Sequence, residues 1–283
     1  MPEGDSVARV ARTLDAALAG RRLARGRFQV PAHALADLAG WTVVRTATHG
    51  KHLLTRLLPP PGPDGAGQEP LTLHTHLRMD GSWTVLGPGK QLPRNLAPDV
   101  RVLLTTADGP APGRTAVALR MPVVELLPTA READVVGHLG PDLLDPAFDA
   151  AEAVRRLGAD PARPLAATLL DQRAVAGLGN LWVNELCFLL GRSPWTPVGE
   201  VDLPAAVVLA RRALRFSASS TGAHQVTTGD TRRGHQHWVN GRAGEPCRRC
   251  GTTVQVVAEV PGDPERRRTW WCPHCQPGPG PDR

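Results

Sequence analysis

Apolar positions along the chain fall into two regimes. Val7, Val10, Ala11, Leu14 and Leu18 recur every three or four positions until Gly20, which predicts an amphipathic helix with Asp5 and Ser6 as N-caps. From Arg21 to about Pro128 the spacing changes to short alternating runs, 41–58, 71–86, 100–107 and 115–127, broken by Pro- and Gly-rich turns. Alternation buries one face of each strand, so these runs predict an antiparallel β-sandwich, with 59–70 as an exposed loop tip. Beyond Pro128 the period becomes helical again. Asp145-Pro146 opens a helix carrying Phe148, Ala151 and Val154, and further helices are expected over 165–172, 181–190 and 203–217. Residues 221–244 have few apolar anchors and read as a loop and linker, a cysteine-bearing unit follows, and 277–283 reads as a disordered tail. No internal repeat is visible. The pattern gives an α+β multidomain chain: an N-terminal β-sandwich with a flanking helix over 1–128, a helical domain over 129–241, a cysteine hairpin over 242–276, and the tail.

Charge narrows the class of partner. The 283 residues carry a formal net charge of +6, which favours an acidic partner and nucleic acid first. A coding bias toward Arg would also raise the charge. Under that bias the surviving lysines, Lys51 and Lys90, are informative, because Lys transfers a proton where Arg does not. The N-terminal segment is charged throughout and no apolar run reaches spanning length, so neither a signal peptide nor a membrane partner is expected. In the reducing cytoplasm this implies, closely spaced cysteines bind metal more often than they form disulfides.

Cys247-x-x-Cys250 and Cys272-x-x-Cys275 are two knuckles separated by residues 251–271, a spacing just beyond the usual zinc range. Four thiolates without an open position make a structural site for one Zn²⁺, with iron or a redox role as the alternatives. Cys187, inside an apolar helix, reads as a core residue. Glu265 and Arg266-Arg267-Arg268 lie between the knuckles, either as a phosphate grip at a hairpin tip or as a solvated charged turn. Gly177-Leu178-Gly179-Asn180 could bring backbone and a helix N-terminus close to phosphate, or could be an ordinary glycine stop followed by an Asn cap. His74 and His76 would share a strand face, as would His235 and His237, with no third metal ligand apparent for either pair.

Met1-Pro2-Glu3-Gly4 carries the chemistry. Once Met1 is removed, Pro2 offers an α-amine with a reference pKa of roughly 8, partly unprotonated near neutrality, with a carboxylate next to it. Attack on a sugar C1′ would release the base and leave a cationic imine that acidifies the C2′ proton, and Glu3 could shuttle the protons. The same residues also suit an unremarkable second-position Pro and an acid ahead of a helix.

Taken together, Met1-Pro2-Glu3-Gly4, His49-Gly50-Lys51-His52-Leu53-Leu54, Leu170-Asp171-Gln172 through Ala176-Gly177-Leu178-Gly179-Asn180, and Gly244-Glu245-Pro246-Cys247 through Cys275-Gln276 resemble the formamidopyrimidine-DNA glycosylase and endonuclease VIII family, the endonuclease VIII branch most closely. The resemblance implies a β-sandwich, a helix-two-turn-helix domain and a zinc-finger hairpin, with damaged DNA bound in the cleft between the lobes by a monomer in the cytoplasm, associated with the bacterial nucleoid. It implies Pro2 as nucleophile, Glu3 as acid/base, Lys51 as phosphate contact and proton donor, Asn180 and Arg267 as phosphate contacts, and Met79 as the wedge filling the space of the flipped nucleotide. The implied activity is a bifunctional glycosylase and abasic-site lyase of base-excision repair. A non-catalytic damage-binding protein on the same scaffold is the alternative. Ser6 stands where many relatives have a second glutamate, and 121–125 lacks the Arg-Phe pair that reads the opposite cytosine in formamidopyrimidine-DNA glycosylases. These departures favour oxidised pyrimidines over oxidised guanine.

Overall fold

The computed structural model describes residues 2–62, 67–107, 113–220, 225–257 and 267–281. It forms two compact units, one of Pro2 with residues 7–138, the other of residues 3–6 with the chain from 139 onward.

The first unit contains helix α1 (Gly4–Leu18) from Val7 on and eight strands: β1 (Leu23–Phe28), β2 (Thr42–His49), β3 (His52–Leu58), β4 (Leu71–His76), β5 (Ser82–Leu86), β6 (Val100–Thr106), β7 (Thr115–Leu119) and β8 (Val123–Pro128). They build two four-stranded sheets, β1-β6-β7-β5 and β2-β3-β4-β8, with every pairing antiparallel. The predicted alternation is clearest in β6, where Val100, Val102 and Leu104 are buried and the residues between them are partly exposed. The apolar stripe of α1, Val7, Ala11, Leu14 and Leu18, packs with Val43, Leu57 and Leu73 of one sheet and Val102, Leu104 and Ala118 of the other. Burial of that stripe, about 1.5–3 kcal/mol for each large side chain, holds the helix to the sandwich. The helix begins two to three residues earlier than the expected caps Asp5 and Ser6 allow, at Gly4, which makes Glu3 the capping residue.

The sandwich does not end at Pro128. Glu132, just before the short helix α2 (Ala133–Val136), receives Arg56 Nε and Nη2 at 2.7 and 2.6 Å and the Thr72 hydroxyl at 2.6 Å. This bidentate pair ties residues up to His138 to the first unit.

The second unit holds α3 (Ala150–Leu157), α4 (Leu165–Leu170), α5 (Asn180–Leu190), α6 (Leu203–Ser219) and a two-stranded hairpin, β9 (Gln255–Val257) with β10 (Thr269–Trp271). Helix α3 starts later than its sequence suggests. Asp149 caps it, accepting from Glu152 N–H at 2.9 Å, while Asp145 closes a turn by accepting from Ala147 N–H. α5 buries Trp182, Val183, Leu186, Cys187 and Phe188, so it is the central helix of the unit. Cys187 is a core residue as expected, and burial pushes its thiol up to about 12.

The expected boundary at 241 is crossed by packing. Phe188 of α5 lies in one apolar cluster with Val239, Cys247, Val254 and Cys272, and its ring stacks on Trp238 at 5.3 Å. The segment 225–240 has no strand, so His235 and His237 share no strand face, and its apolar anchors Val226 and Val239 are buried. Of the expected tail, 277–281 carries no helix or strand but is fastened, with the Ser193 hydroxyl donating to the Pro279 carbonyl. The arginine-run residues Glu265 and Arg266 lie outside the described residues, as do 63–66 of the expected loop tip. No helix among the described residues is long and apolar enough to cross a membrane.

Candidate active site

Glu3 is 1% exposed, and its carboxylate is held at the N-terminus of α5. Oε2 accepts from Gly179 N–H at 2.8 Å and Trp182 N–H at 3.2 Å, and Oε1 from Leu181 N–H at 2.8 Å. The first amides of a helix lack intrahelical partners and carry the positive end of its dipole, so a carboxylate suits them. Glycines make the approach feasible. A Cβ at Gly179 would lie 2.4 Å from Glu3 Cδ, and one at Gly4 would lie 2.9 Å from the Gly177 carbonyl, to which Gly4 N–H donates. The glycine turn therefore admits Glu3 of the same chain, where its sequence suggests amides presented to a phosphate.

Ser6, expected as an N-cap, lies instead in the first turn of α1 and closes the cap from there. Its Oγ accepts from Glu3 N–H at 2.8 Å and donates to the Glu3 carbonyl at 2.9 Å, the position-three side chain serving the N-cap amide as in a capping box. Asp5, the other expected N-cap, also lies within the first turn. It is fully buried and accepts from Ser217 Oγ, Gln225 Nε2 and Ser6 N–H. Half-buried Pro2 directly precedes this fixed turn.

Asn180 opens α5, and its Nδ2 donates to the Arg268 carbonyl at 2.8 Å. Asn184, one turn on, accepts from Trp270 N–H at 3.1 Å and donates to the Asn180 carbonyl at 2.7 Å and the Arg268 carbonyl at 3.3 Å. The hairpin backbone is thereby registered along α5, which brings half-buried Arg267 into the same unit and neighbourhood as Asn180. Asn184 was legible only as a polar residue in an otherwise apolar helix. Glu185, fully buried beside it, accepts from Trp238, Val239 and Asn240 N–H at 2.8, 2.9 and 2.8 Å and from the Thr227 hydroxyl, pinning both ends of the 227–240 segment.

The sulfurs of Cys247, Cys250, Cys272 and Cys275 all lie within 4.8 Å of one another, with Cys247 to Cys275 at 3.9 Å and Cys250 to Cys272 at 3.5 Å. A tetrahedron of four thiolates about 2.3 Å from Zn²⁺ has edges of about 3.8 Å, so the set fits that ion. Burial raises the thiols of Cys272 and Cys275, which a bound dication would counter.

In the first unit, His49 and His52 pair across a two-residue loop, Gly50-Lys51, with Gly50 at φ 58°. Glycine at the first central position is what such a hairpin turn requires, and it places Lys51 at the tip. Met79 lies in the β4–β5 turn and is 62% exposed, an unusual state for a large apolar side chain. The turn is fixed by Gly81 N–H on the Leu77 carbonyl at 2.9 Å, and a Cβ at Gly81 would come within 2.7 Å of that oxygen. Lys51 and Met79 thus belong to the first unit, and Glu3, Asn180, Arg267 and the four cysteines to the second.

Residues 1–120 match the formamidopyrimidine-DNA glycosylase N-terminal domain, and residues 139–221 the H2TH domain of the same enzymes. The chain is 49% identical over 282 residues to a probable endonuclease 8 2 of Streptomyces coelicolor, covering 99% of this chain and 96% of that protein. It is 43% identical to the DNA-(apurinic or apyrimidinic site) lyase Nei2 of Mycolicibacterium smegmatis, covering 98% and 99%. Its fold is similar to that of a formamidopyrimidine-DNA glycosylase from Lactococcus lactis, solved non-covalently bound to DNA containing an abasic site. There the TM-score is 0.72 at 22% identity, with 98% of this chain and 100% of that chain covered.

Proposed function

The chain belongs to the formamidopyrimidine-DNA glycosylase family, in its endonuclease VIII branch, and from that premise we propose that it cuts damaged DNA through the amine of Pro2. It is a DNA glycosylase of base-excision repair with abasic-site lyase activity. After removal of Met1, the Pro2 nitrogen attacks C1′ of the extruded nucleotide and the damaged base departs with the bond electrons. The nitrogen lone pair then breaks the C1′–O4′ bond as O4′ takes a proton, leaving a cationic C1′ imine; loss of the now acidic C2′ proton to a base expels the 3′ phosphate, and a second elimination expels the 5′ phosphate. Water finally releases the sugar fragment from the amine.

Glu3 handles protons at the sugar in this scheme. The observation that carries the reading is the burial of the Glu3 carboxylate on three backbone amides, which fixes the residue bonded to the nucleophile. Lys51, compact and cationic at its hairpin tip, contacts phosphate and donates a proton to the leaving oxygen. Asn180 and Arg267 hold backbone phosphates, and Met79 fills the space left by the flipped nucleotide. Oxidised pyrimidines are the favoured substrate class because 121–125 lacks an Arg-Phe reader. Cys247, Cys250, Cys272 and Cys275 hold one structural Zn²⁺, whose bond to four thiolates cross-links the finger and takes no part in the chemistry. The enzyme acts as a monomer.

Borohydride trapping on DNA with one abasic site, followed by mass spectrometry of the N-terminal peptide, tests the nucleophile. An adduct on Pro2 is expected, and Pro2→Gly with undiminished incision would refute it. Tight binding without any adduct would favour the non-catalytic damage binder.

A further inference from the structure

The end of the β2-β3-β4-β8 sheet that carries the Lys51 turn also carries a chain of imidazoles. Strand register sets His52 opposite His76, and His74 opposite Glu125. Glu125 Oε2 lies 2.9 Å from His74 Nδ1, and His74 Nε2 lies 2.7 Å from His52 Nδ1. The His52 and His74 rings are stacked with centroids 5.0 Å apart, while His76 and His138 meet His52 edge-on at 4.8 and 6.5 Å. Among the described residues these nitrogens do not converge in threes as metal ligands, so hydrogen bonding is what organises them.

The bonding rules give the chain a direction. An ionised carboxylate can only accept, so His74 carries a proton on Nδ1. A single proton on His74 makes its Nε2 the acceptor, His52 then donates from Nδ1, and His52 Nε2 keeps its lone pair. His76 accepts from Arg78 N–H at Nδ1, 3.1 Å, and so holds its own proton at Nε2. The surroundings oppose positive charge on His52 and His76. Burial first, then His76, His74, His138 and His49, lower His52 to about 3. Burial, Lys51, Arg78 and His74 lower His76 to about 4.

We propose that Glu125, His74 and His52 form a positioning relay for Lys51. The carboxylate anchors His74, His74 fixes His52 in its Nδ1–H tautomer, and His52, the residue after Lys51, immobilises the outgoing side of the two-residue turn. Uncharged His52 and His76 at this sheet end spare the Lys51 ammonium a repulsive neighbour. The relay is made of positioning residues, and its purpose rests on the role given to Lys51 above.

Long-range proton–nitrogen NMR of the labelled full-length protein tests the relay without reference to activity. His52 and His74 are expected as Nδ1–H tautomers and His76 as Nε2–H, whereas free histidine favours Nε2–H. A wild-type His52 in the Nε2–H form, or a doubly protonated His74, would overturn the relay. Glu125→Gln keeps an acceptor oxygen for His74, so it should retain the tautomers and abasic-site lyase kcat within about twofold. Glu125→Leu should return His52 to the Nε2–H form and lower kcat on the order of tenfold with KM little changed. Glu125 is half-exposed, so this change leaves the core intact. Tautomer loss in Glu125→Leu with an unchanged kcat would overturn the link to Lys51. Lys51→Met with wild-type lyase activity would instead refute the role of Lys51 itself, while the NMR result would stand independently.

Discussion

Substitution of Gly179 by alanine isolates what the placement of Glu3 contributes. Gly179 has φ −127° and ψ −167°, extended backbone that any residue adopts, so Gly179→Ala introduces no conformational strain. Its Cβ would nevertheless stand 2.4 Å from Glu3 Cδ and 2.6 Å from Oε1. The carboxylate cannot swing aside without releasing amides, because Gly179 and Leu181 N–H each reach it at 2.8 Å and Trp182 N–H at 3.2 Å. Losing two charge-assisted hydrogen bonds at about 1.5 kcal/mol each gives about 3 kcal/mol. Expressed in the transition state, that energy is a rate loss of about 100-fold. Expressed in folding, it lowers the melting of a unit this size by about 2–4 °C per kcal/mol. Incision of a duplex with one abasic site, measured with enzyme in excess, should therefore slow by about two orders of magnitude at most, with the remainder appearing as a lower melting temperature. Trp182, Trp195, Trp238, Trp270 and Trp271 report melting of the second unit, while Trp41 and Trp83 report the first. DNA affinity should change little, since Asn180 and Arg267 keep their supports. A Gly179→Ala enzyme with both wild-type incision and wild-type melting would show that the amide-held carboxylate has neither role.

Removal of the proposed Zn²⁺ by a strong chelator should lower the melting of the second unit and shift the emission of Trp238, Trp270 and Trp271, because Phe188 of α5 shares its core with Cys247 and Cys272; an unchanged second unit would refute the structural role proposed for the ion. Asn184→Ala removes the acceptor for Trp270 N–H and the second donor to the Arg268 carbonyl, a loss of about 1–3 kcal/mol. DNA affinity should fall and its salt dependence weaken as Arg267 loses its register, and a titration at several salt concentrations decides this. Lowered His52 and His76, about 3 and about 4 against 6.5 unfolded, mean that the unfolded chain binds more protons across that interval. The stability they contribute is therefore complete above pH ~6.5 and declines as pH falls toward ~4, on the order of 1 kcal/mol per pH unit after allowing for solvent screening. Urea unfolding followed through Trp41 and Trp83 should show the decline, and a response flat over this range would refute it.

What could be read from the sequence and what could not differ in one physical respect, the distance along the chain over which the organising contact acts. Alternating strands, the heptad-like stripe of α1 and the paired Cys-x-x-Cys knuckles are local patterns, and each corresponds to an observed element or cluster. The expected runs 41–58 and 71–86 nevertheless each fold as two strands, β2 with β3 and β4 with β5, because Gly50 turns the first and the Met79 turn breaks the second, signals that the alternation alone did not separate. The start of α3 misled because Asp145 and Asp149 are both capping residue types, and only packing decides which of them begins a helix. The supports of the site left no such trace. Ser217 donates to Asp5 across 212 residues, Trp270 to Asn184 across 86, and the amides that hold Glu185 lie more than 50 residues beyond it. A buried carboxylate satisfied by distant backbone amides constrains neither the sequence around itself nor the sequence around its donors, except where a side chain would intrude. Gly177-Leu178-Gly179-Asn180 shows how far a local pattern reaches. Glycines ahead of a helix correctly mark a place where backbone amides take an anion at close range. The pattern could not say whose anion, and the carboxylate that occupies the amides belongs to Glu3, 176 residues earlier in the same chain. With those amides engaged, the phosphate contact proposed for this turn would come from the Asn180 side chain and its neighbour Arg267, and on that proposal losing Asn184 should weaken DNA binding while the Glu3 contacts survive.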